Sequence, residues 1–290
     1  HVMRGRGCAD AAMISCAFLS NLIPFTSAFT SVNISPCQKL STGDWPQPRY
    51  FAANQLQLST QHQRRMSHVA LAVSGKGAEP ELVERTLGHY SRRAEIFWEG
   101  TKDHDVSQNR AAFIRNLEPK APSETRILDL GCGPGRDVLA FHQLGYKVTG
   151  LDGCPEFVSM GQKLCKSASF LLQDLHQLDL AGAEYDGIFA NAALFHVQRE
   201  ELPAVMQKLV ASLKWNGVLF TSNPRSMLAE DMEKFGLPGE DERYGHYQTY
   251  ESWCRTLDAA GLTLVEHYYR PPGAPCDMQP WLATVARKNR

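Results

Sequence analysis

Residues 127–137 read ILDLGCGPGRD, and no other stretch narrows what this chain can be as far. An apolar run, Ile127, Leu128 and Leu130, ends in three glycines at alternate positions, Gly131, Gly133 and Gly135. A helix-compatible segment, DVLAFHQLG, follows. Strand, tight glycine turn and helix start together bring backbone N–H groups and the positive end of a helix against a ligand, with glycine supplying backbone angles that a side chain resists. The dinucleotide fingerprint GxGxxG would put its third glycine at position 136, where this chain has Arg136. GxGxG spacing argues against a pyrophosphate, so the strands downstream decide the ligand.

The next strand, YKVTGLDG, carries Val148 and Leu151 and ends in Asp152. In a doubly wound sheet that end faces the ligand crevice, and a carboxylate there accepts both hydroxyls of a ribose. A third run, ASFLLQDL, puts Asp174 at its end, in position for an exocyclic amine. A fourth, YDGIFANAALFHV, and a fifth, GVLFTSNP, continue the series. With these features in order, residues 80–290 resemble the class I S-adenosylmethionine (SAM)-dependent methyltransferases, nearest the small-molecule branch called type 11 or UbiE-like. The resemblance implies that Gly131, Cys132, Gly133 and Gly135 line the methionine part of SAM, with Asp129 at the family's acidic position. It implies that Asp152 and Gly153 hold the ribose, Asp174 and Leu175 the adenine, and Asn191 and Ala192 the floor beneath the sulfonium. The product would be S-adenosylhomocysteine.

Alternating strand and helix patterns from 126 to 222 predict a parallel sheet with helices on both faces. The full expectation is an α/β fold of the Rossmann-like methyltransferase type: seven strands, doubly wound, mostly parallel, with an antiparallel last strand. Ahead of it, ELVERTLGHYSRRAEIFW predicts one helix from Pro80 to Trp98. A second helix, VSQNRAAFIRNL, is capped by Asp105 or Ser107, and the two form an N-terminal helical lid. Residues 226–245 form a polar insert.

Residues 1–78 differ in composition, with only Asp10 and Asp44 acidic. Arg4 and Arg6 precede AAMISCAFLSNLIPF and the small residues Thr26, Ser27 and Ala28, a signal-peptide layout. Phe29 directly after Ala28 resembles the leaders of algal plastids with extra envelope membranes. The domains expected are thus a targeting leader or disordered tail at 1–78 and a methyltransferase domain at 79–290, with the plastid as destination and mitochondrion or cytosol as alternatives. A formal net charge of −1 gives no electrostatic case for a nucleic-acid partner. Eight cysteines show neither a CxxC pair nor zinc spacing, and no stretch reaches membrane-spanning length, so neither a metal nor stable membrane insertion is expected. A monomer or homodimer fits.

Methyl transfer from a sulfonium needs no metal and no covalent intermediate, so sequence names the cofactor side better than the acceptor side. Tyr90 and Trp98 lie in the lid, Tyr90 toward the cofactor and Trp98 toward the acceptor. His196, just past the fourth strand, is expected as a general base, with His104 as a less favoured one. Arg225, Arg243 and Tyr244 are expected to bind the acceptor, with Tyr268, Tyr269 and Arg270 on the far wall. Arg136 is expected to pair with Asp137 or with a carboxylate of the lid. The leading function is methylation of N, S or O on a small polar, carboxylate-bearing metabolite. A protein or tRNA methyltransferase is the alternative among enzymes. From another class come a NAD-binding reductase or a non-catalytic SAM-binding protein.

Overall fold

The structure is a computed structural model, and it describes residues 80–236 and 241–289. The expected leader at 1–78 lies outside the described residues.

Five strands follow one another and pair in parallel: β1 (Arg126–Leu130), β2 (Lys147–Asp152), β3 (Ser169–Leu172), β4 (Tyr185–Asn191) and β5 (Leu213–Pro224). Between them run α4 (Arg136–Gln143), α5 (Pro155–Leu164) and α6 (Leu202–Ser212). Two further strands, β8 (Leu262–Arg270) and β9 (Trp281–Lys288), complete a seven-stranded sheet in the order β3-β2-β1-β4-β5-β9-β8. β9 inserts between β5 and β8 antiparallel to both, as expected for the last strand. The order reverses at β1, and the crevice opens there, beyond the carboxyl ends of β1 and β4.

The strand sequences explain why both faces are covered. Leu128, Leu130, Ile188, Ala190 and Leu219 point to one side, where α6 and α7 (Tyr250–Ala259) pack with Met206, Leu209, Trp253 and Leu257. Their neighbours Ile127, Phe189, Val218 and Phe220 point to the other, against α3 (Ser107–Asn116) and α4 with Phe113, Val138 and Phe141. Period-two alternation of apolar with apolar is the mark of a strand buried on both faces. Phe189 and Phe220 stack at 4.7 Å, and Phe113 reaches over Gly187, where a Cβ would lie 2.5 Å from its ring.

Two expectations need correction. The single helix from Pro80 to Trp98 is two, α1 (Pro80–Arg92) and α2 (Ala94–Thr101), broken at Arg93, whose N–H bonds Tyr90 O at 3.1 Å. The break lets Tyr90 and Phe97 both turn inward, edge to face at 5.5 Å, over Phe157 of α5. The polar insert also carries a hairpin of three-residue strands, β6 (Met232–Lys234) and β7 (Gly245–Tyr247), too short to show in the hydrophobic pattern. Among the described residues no helix is long and apolar enough to cross a membrane, and no cluster of three His, Cys, Asp or Glu has metal-binding geometry.

Candidate active site

The glycine turn is built as its spacing demands. Gly131, Gly133 and Gly135 have φ of 66°, 54° and 92°, all in the left-handed region that favours glycine. Gly131 also lies so close to the loop after β4 that a Cβ would meet Ala193 Cβ at 2.5 Å. Its N–H and that of Cys132 bond Leu151 O at 2.8 and 3.0 Å, so the turn is laced to the end of β2. Cys132 itself is a half-buried thiol whose pKa desolvation pushes well up, with Asp152 and Asp129 adding to it.

Asp152 closes β2 with its carboxylate held from two sides. Gly133 N–H donates to Oδ2 and Cys154 N–H to Oδ1, each at 2.9 Å. Burial still dominates and raises its pKa to about 6, the backbone donors pulling the other way. Gly153 packs closely under the lid, where a Cβ would lie 2.9 Å from the Leu87 side chain. At the end of β3, Asp174 takes both the N–H and the ring Nδ1 of His176 at 2.9 Å. Burial opposes its ionisation, but those donors prevail and its pKa is lowered. Asp152, Gly153, Asp174, Leu175, Gly131 and Ala192 all line one cleft, with Tyr90 and Phe97 closing it from the lid.

Asp129 looks across the turn into the adjoining cavity. One carboxylate oxygen accepts from Val138 N–H; Oδ2 is buried with no hydrogen-bond partner among the described residues. Burial and the nearby Asp137 push its pKa well above the ordinary value. A buried carboxylate oxygen without a donor calls for a cationic or N–H-bearing ligand. At the end of β4, Asn191 accepts from Asn109 Nδ2 at 2.9 Å, and Ala192 sits at φ 64°, tied by its N–H to Ser222 O at 2.8 Å. Left-handed alanine costs about 1–2 kcal/mol, a strain held at the floor of the cleft.

Beyond this floor lies a cavity of about 600 Å³ that shares Tyr90, Phe97, Gly131, Gly133 and Ala192 with the first cleft. Trp98, Arg243, Phe195, Ser222, Arg270 and Trp281 surround it. A methyltransferase domain model matches residues 103–267, more than half of the chain. The chain belongs to that family. Within it, this methyltransferase is 28% identical over 130 residues to malonyl-[acyl-carrier protein] O-methyltransferase of Enterobacter lignolyticus, covering 44% of this chain. The chain spans about half of that relative's length (51%). It is 22% identical to ubiquinone biosynthesis O-methyltransferase of Methylobacterium sp., covering 64% of this chain and 85% of that one. The fold is also that of 1,6-didemethyltoxoflavin-N1-methyltransferase of Burkholderia thailandensis, solved with S-adenosylhomocysteine bound (TM-score 0.61, 22% identity, 75% of this chain and 94% of that one).

On the acceptor side the methyltransferase departs from several expectations. His196 is closed on both sides: Nδ1 lies 2.6 Å from Tyr244 O and Nε2 2.8 Å from the Tyr90 hydroxyl. A carbonyl can only accept, so Nδ1 carries the proton and Nε2 accepts from Tyr90. Burial lowers its pKa to about 4; the Tyr244 carbonyl opposes this and Arg243 adds to it. That removes the ground for a general base. Arg243 borders the cavity, yet its Nε and Nη2 are taken by Asp241 at 2.6 and 2.9 Å and its Nη1 by the Tyr90 hydroxyl at 3.3 Å. Three of its five N–H donors are engaged within the protein. Arg225 points elsewhere, bonding Gln279 O and Cys276 O and lying 4.4 Å over the Tyr269 ring. The Tyr244 side chain is 2% exposed, its hydroxyl on Glu233, so only its carbonyl serves the site.

Trp98 and Arg270 do reach the cavity, and Arg136 pairs with Asp137 at 2.7 Å as its spacing predicts. Sequence reasoning missed Phe97, Phe195, Ser222 and Trp281. Phe97 carried a signal, seven residues after Tyr90 on one helical face, but the pattern suggests core as readily as cleft.

Proposed function

We propose that this methyltransferase transfers a methyl group from SAM to an N, S or O atom of a small polar metabolite bearing a carboxylate. The observation that carries the reading is the meeting of the two cavities at Gly131, Gly133 and Ala192. One is built for the nucleoside; the other takes the amino-acid end of the cofactor beside Asp129 and, beyond it, a compact acceptor. Asp152 accepts the ribose hydroxyls, Asp174 and Leu175 face the adenine, and Asp129, whose Oδ2 has no donor among the described residues, receives the ammonium. The residues present fit SAM, whose sulfonium supplies an activated methyl and a leaving group that departs neutral.

The chain's contribution is placement. Tyr90 and Phe97 span both cavities, so the lid that closes on the cofactor also bounds the acceptor and excludes water. Holding nucleophile, methyl carbon and sulfur in line is worth about 7–11 kcal/mol. No step is assigned to His196, whose nitrogens are both engaged. An acceptor volume bounded by Trp98, Phe195 and Trp281 favours a small molecule over a tRNA or a protein side chain on a flat surface. Incubating the protein with methyl-labelled SAM and pooled metabolites, protein and RNA tests the reading. Label in small acids is expected, and label only in protein or RNA would overturn it.

A further inference from the structure

The acceptor cavity collects buried polar atoms that have no partner. Besides Asp129 Oδ2, these are Ser222 Oγ, Arg270 Nε and Arg136 Nε. An unsatisfied buried donor costs about 1–3 kcal/mol, so several on residues that line one cavity mark where a ligand completes the bonding. Their chemistry is one-sided. An arginine Nε only donates, and a serine hydroxyl donates as readily as it accepts. The missing counterpart must offer lone pairs.

Sheet register puts two of these groups on one wall. Arg270 ends β8 opposite Trp281 of β9, and Trp281 in turn pairs with Pro224 of β5. Ser222 is two residues before Pro224 and therefore on the same face of β5. Ser222, Trp281 and Arg270 thus form a continuous rim across three strands. Arg270 is held in place through a backbone group: Nη2 donates to the carbonyl of Asp105 at 2.9 Å, and no carboxylate side chain hydrogen-bonds it among the described residues. Ser222 is 1% exposed and cannot turn to solvent. Arg136 is less available, since its Nη1 bonds Thr101 O and its Nη2 the Asp137 carboxylate.

We infer that Arg270 and Ser222 bind the carboxylate of the acceptor, with the indole of Trp281 packed against the acceptor's body. This rests on the methyltransferase reading above and transfers carboxylate recognition from Arg225 and Arg243, which are engaged elsewhere, to the β5–β9–β8 rim. The pair fixes the acceptor's charged end at the far wall and leaves its other end to face the cofactor cleft. Arginine supplies charge and direction, the serine a second donor, and the tryptophan an apolar surface for the carbon skeleton.

The test uses the full chain saturated with S-adenosylhomocysteine, titrated calorimetrically with small carboxylic acids of two to nine carbons, each beside its primary amide. At least one acid is expected to bind about tenfold more tightly than its amide. Arg270→Met and Ser222→Ala should each erase that preference while S-adenosylhomocysteine affinity stays within about twofold. Ser222→Ala removes one buried oxygen, so it keeps the test valid should Arg270→Met fold poorly. No acid outbinding its amide, or a preference that survives both substitutions, would overturn the inference. Failure of S-adenosylhomocysteine itself to bind would instead sink the methyltransferase reading on which it rests.

Discussion

The hydroxyl of Tyr90 donates to His196 Nε2 across 2.8 Å, joining the lid helix to the loop after β4 directly over the cofactor cleft. His196 passes the restraint on through Nδ1–H to the Tyr244 carbonyl, and Tyr244 N–H bonds Thr86 Oγ1 of the same lid helix at 3.0 Å. The loop of contacts therefore begins and ends on α1. Its purpose is to fix where Tyr90 stands. Tyr90→Phe and His196→Ala should each weaken S-adenosylhomocysteine binding about fivefold, the worth of one net hydrogen bond near 1 kcal/mol. The double variant should be little worse than either, giving a coupling of about 0.5–3 kcal/mol in a double-mutant cycle. The rate–pH profile of His196→Ala should keep the wild-type shape; loss of an ionisation near neutrality would restore His196 as a base.

Asp152 and His196 titrate in opposite senses, which separates folding from binding. Burial raises the folded pKa of Asp152 to about 6, so its favourable contribution to stability is present below the unfolded value and is lost as pH rises through 6. Burial lowers that of His196 to about 4, so stability is lost as pH falls from the unfolded value near 6.5 toward 4. The two shifts are similar in size and cancel in the melting temperature. They do not cancel in cofactor affinity, because ribose hydroxyls need the Asp152 carboxylate. Affinity for S-adenosylhomocysteine should be flat above about pH 7 and fall about tenfold per unit below 6, and Asp152→Asn should be weak at every pH. Calorimetry between pH 5 and 8 decides it; constant wild-type affinity down to pH 5 refutes the argument.

Sequence exposes the cofactor half of this site far better than the acceptor half, and the reason is range. Gly131, Gly133 and Gly135 act through their own backbone angles, and Asp152 through a strand end immediately downstream, so a short pattern carries both. The rim of Ser222, Trp281 and Arg270 exists only because β9 inserts between β5 and β8, a pairing across some sixty residues. Arg243 and Arg225 are hard to read from sequence for another reason. Each guanidinium is held by groups that a linear pattern does not mark as partners, Asp241 and the Tyr90 hydroxyl for one and two backbone carbonyls for the other. Free and engaged arginines look alike in sequence.

Gly131 offers a direct test of the turn. A methyl group there meets Ala193 Cβ at 2.5 Å, and the φ of 66° is strained for any L side chain. Gly131→Ala should lower stability by about 1–3 kcal/mol and cost far more in cofactor affinity, since the turn and the β4 loop both line the cleft. Gly145→Ala serves as the comparison. Its φ of 88° carries the same backbone strain, but its nearest neighbour is Pro122 Cβ at 3.6 Å and it lies outside the cleft. It should lose stability without losing S-adenosylhomocysteine binding. Equal loss of binding in both variants would show that strain alone, and not the site, governs the effect.

Asp129 sets stability against function. In the unliganded protein it is a buried carboxylate near Asp137 that lines the cavity, and Oδ2 has no donor among the described residues. That arrangement is costly without a cofactor and useful with one, because the methionine ammonium supplies the missing donors and charge. Asp129→Asn keeps the shape, keeps an oxygen for Val138 N–H, and removes the electrostatic strain. The unliganded variant should therefore melt a few degrees above wild type, in line with about 1 kcal/mol gained. Its new amide N–H groups would face the ammonium, so cofactor affinity should fall by about 1.5–3 kcal/mol, the worth of a hydrogen bond between charged partners. Differential scanning calorimetry with and without S-adenosylhomocysteine reads both effects in one experiment: the variant's transition starts higher and shifts less on adding ligand. A variant less stable than wild type and equally tight toward the ligand would mean that Oδ2 serves the fold and not the cofactor.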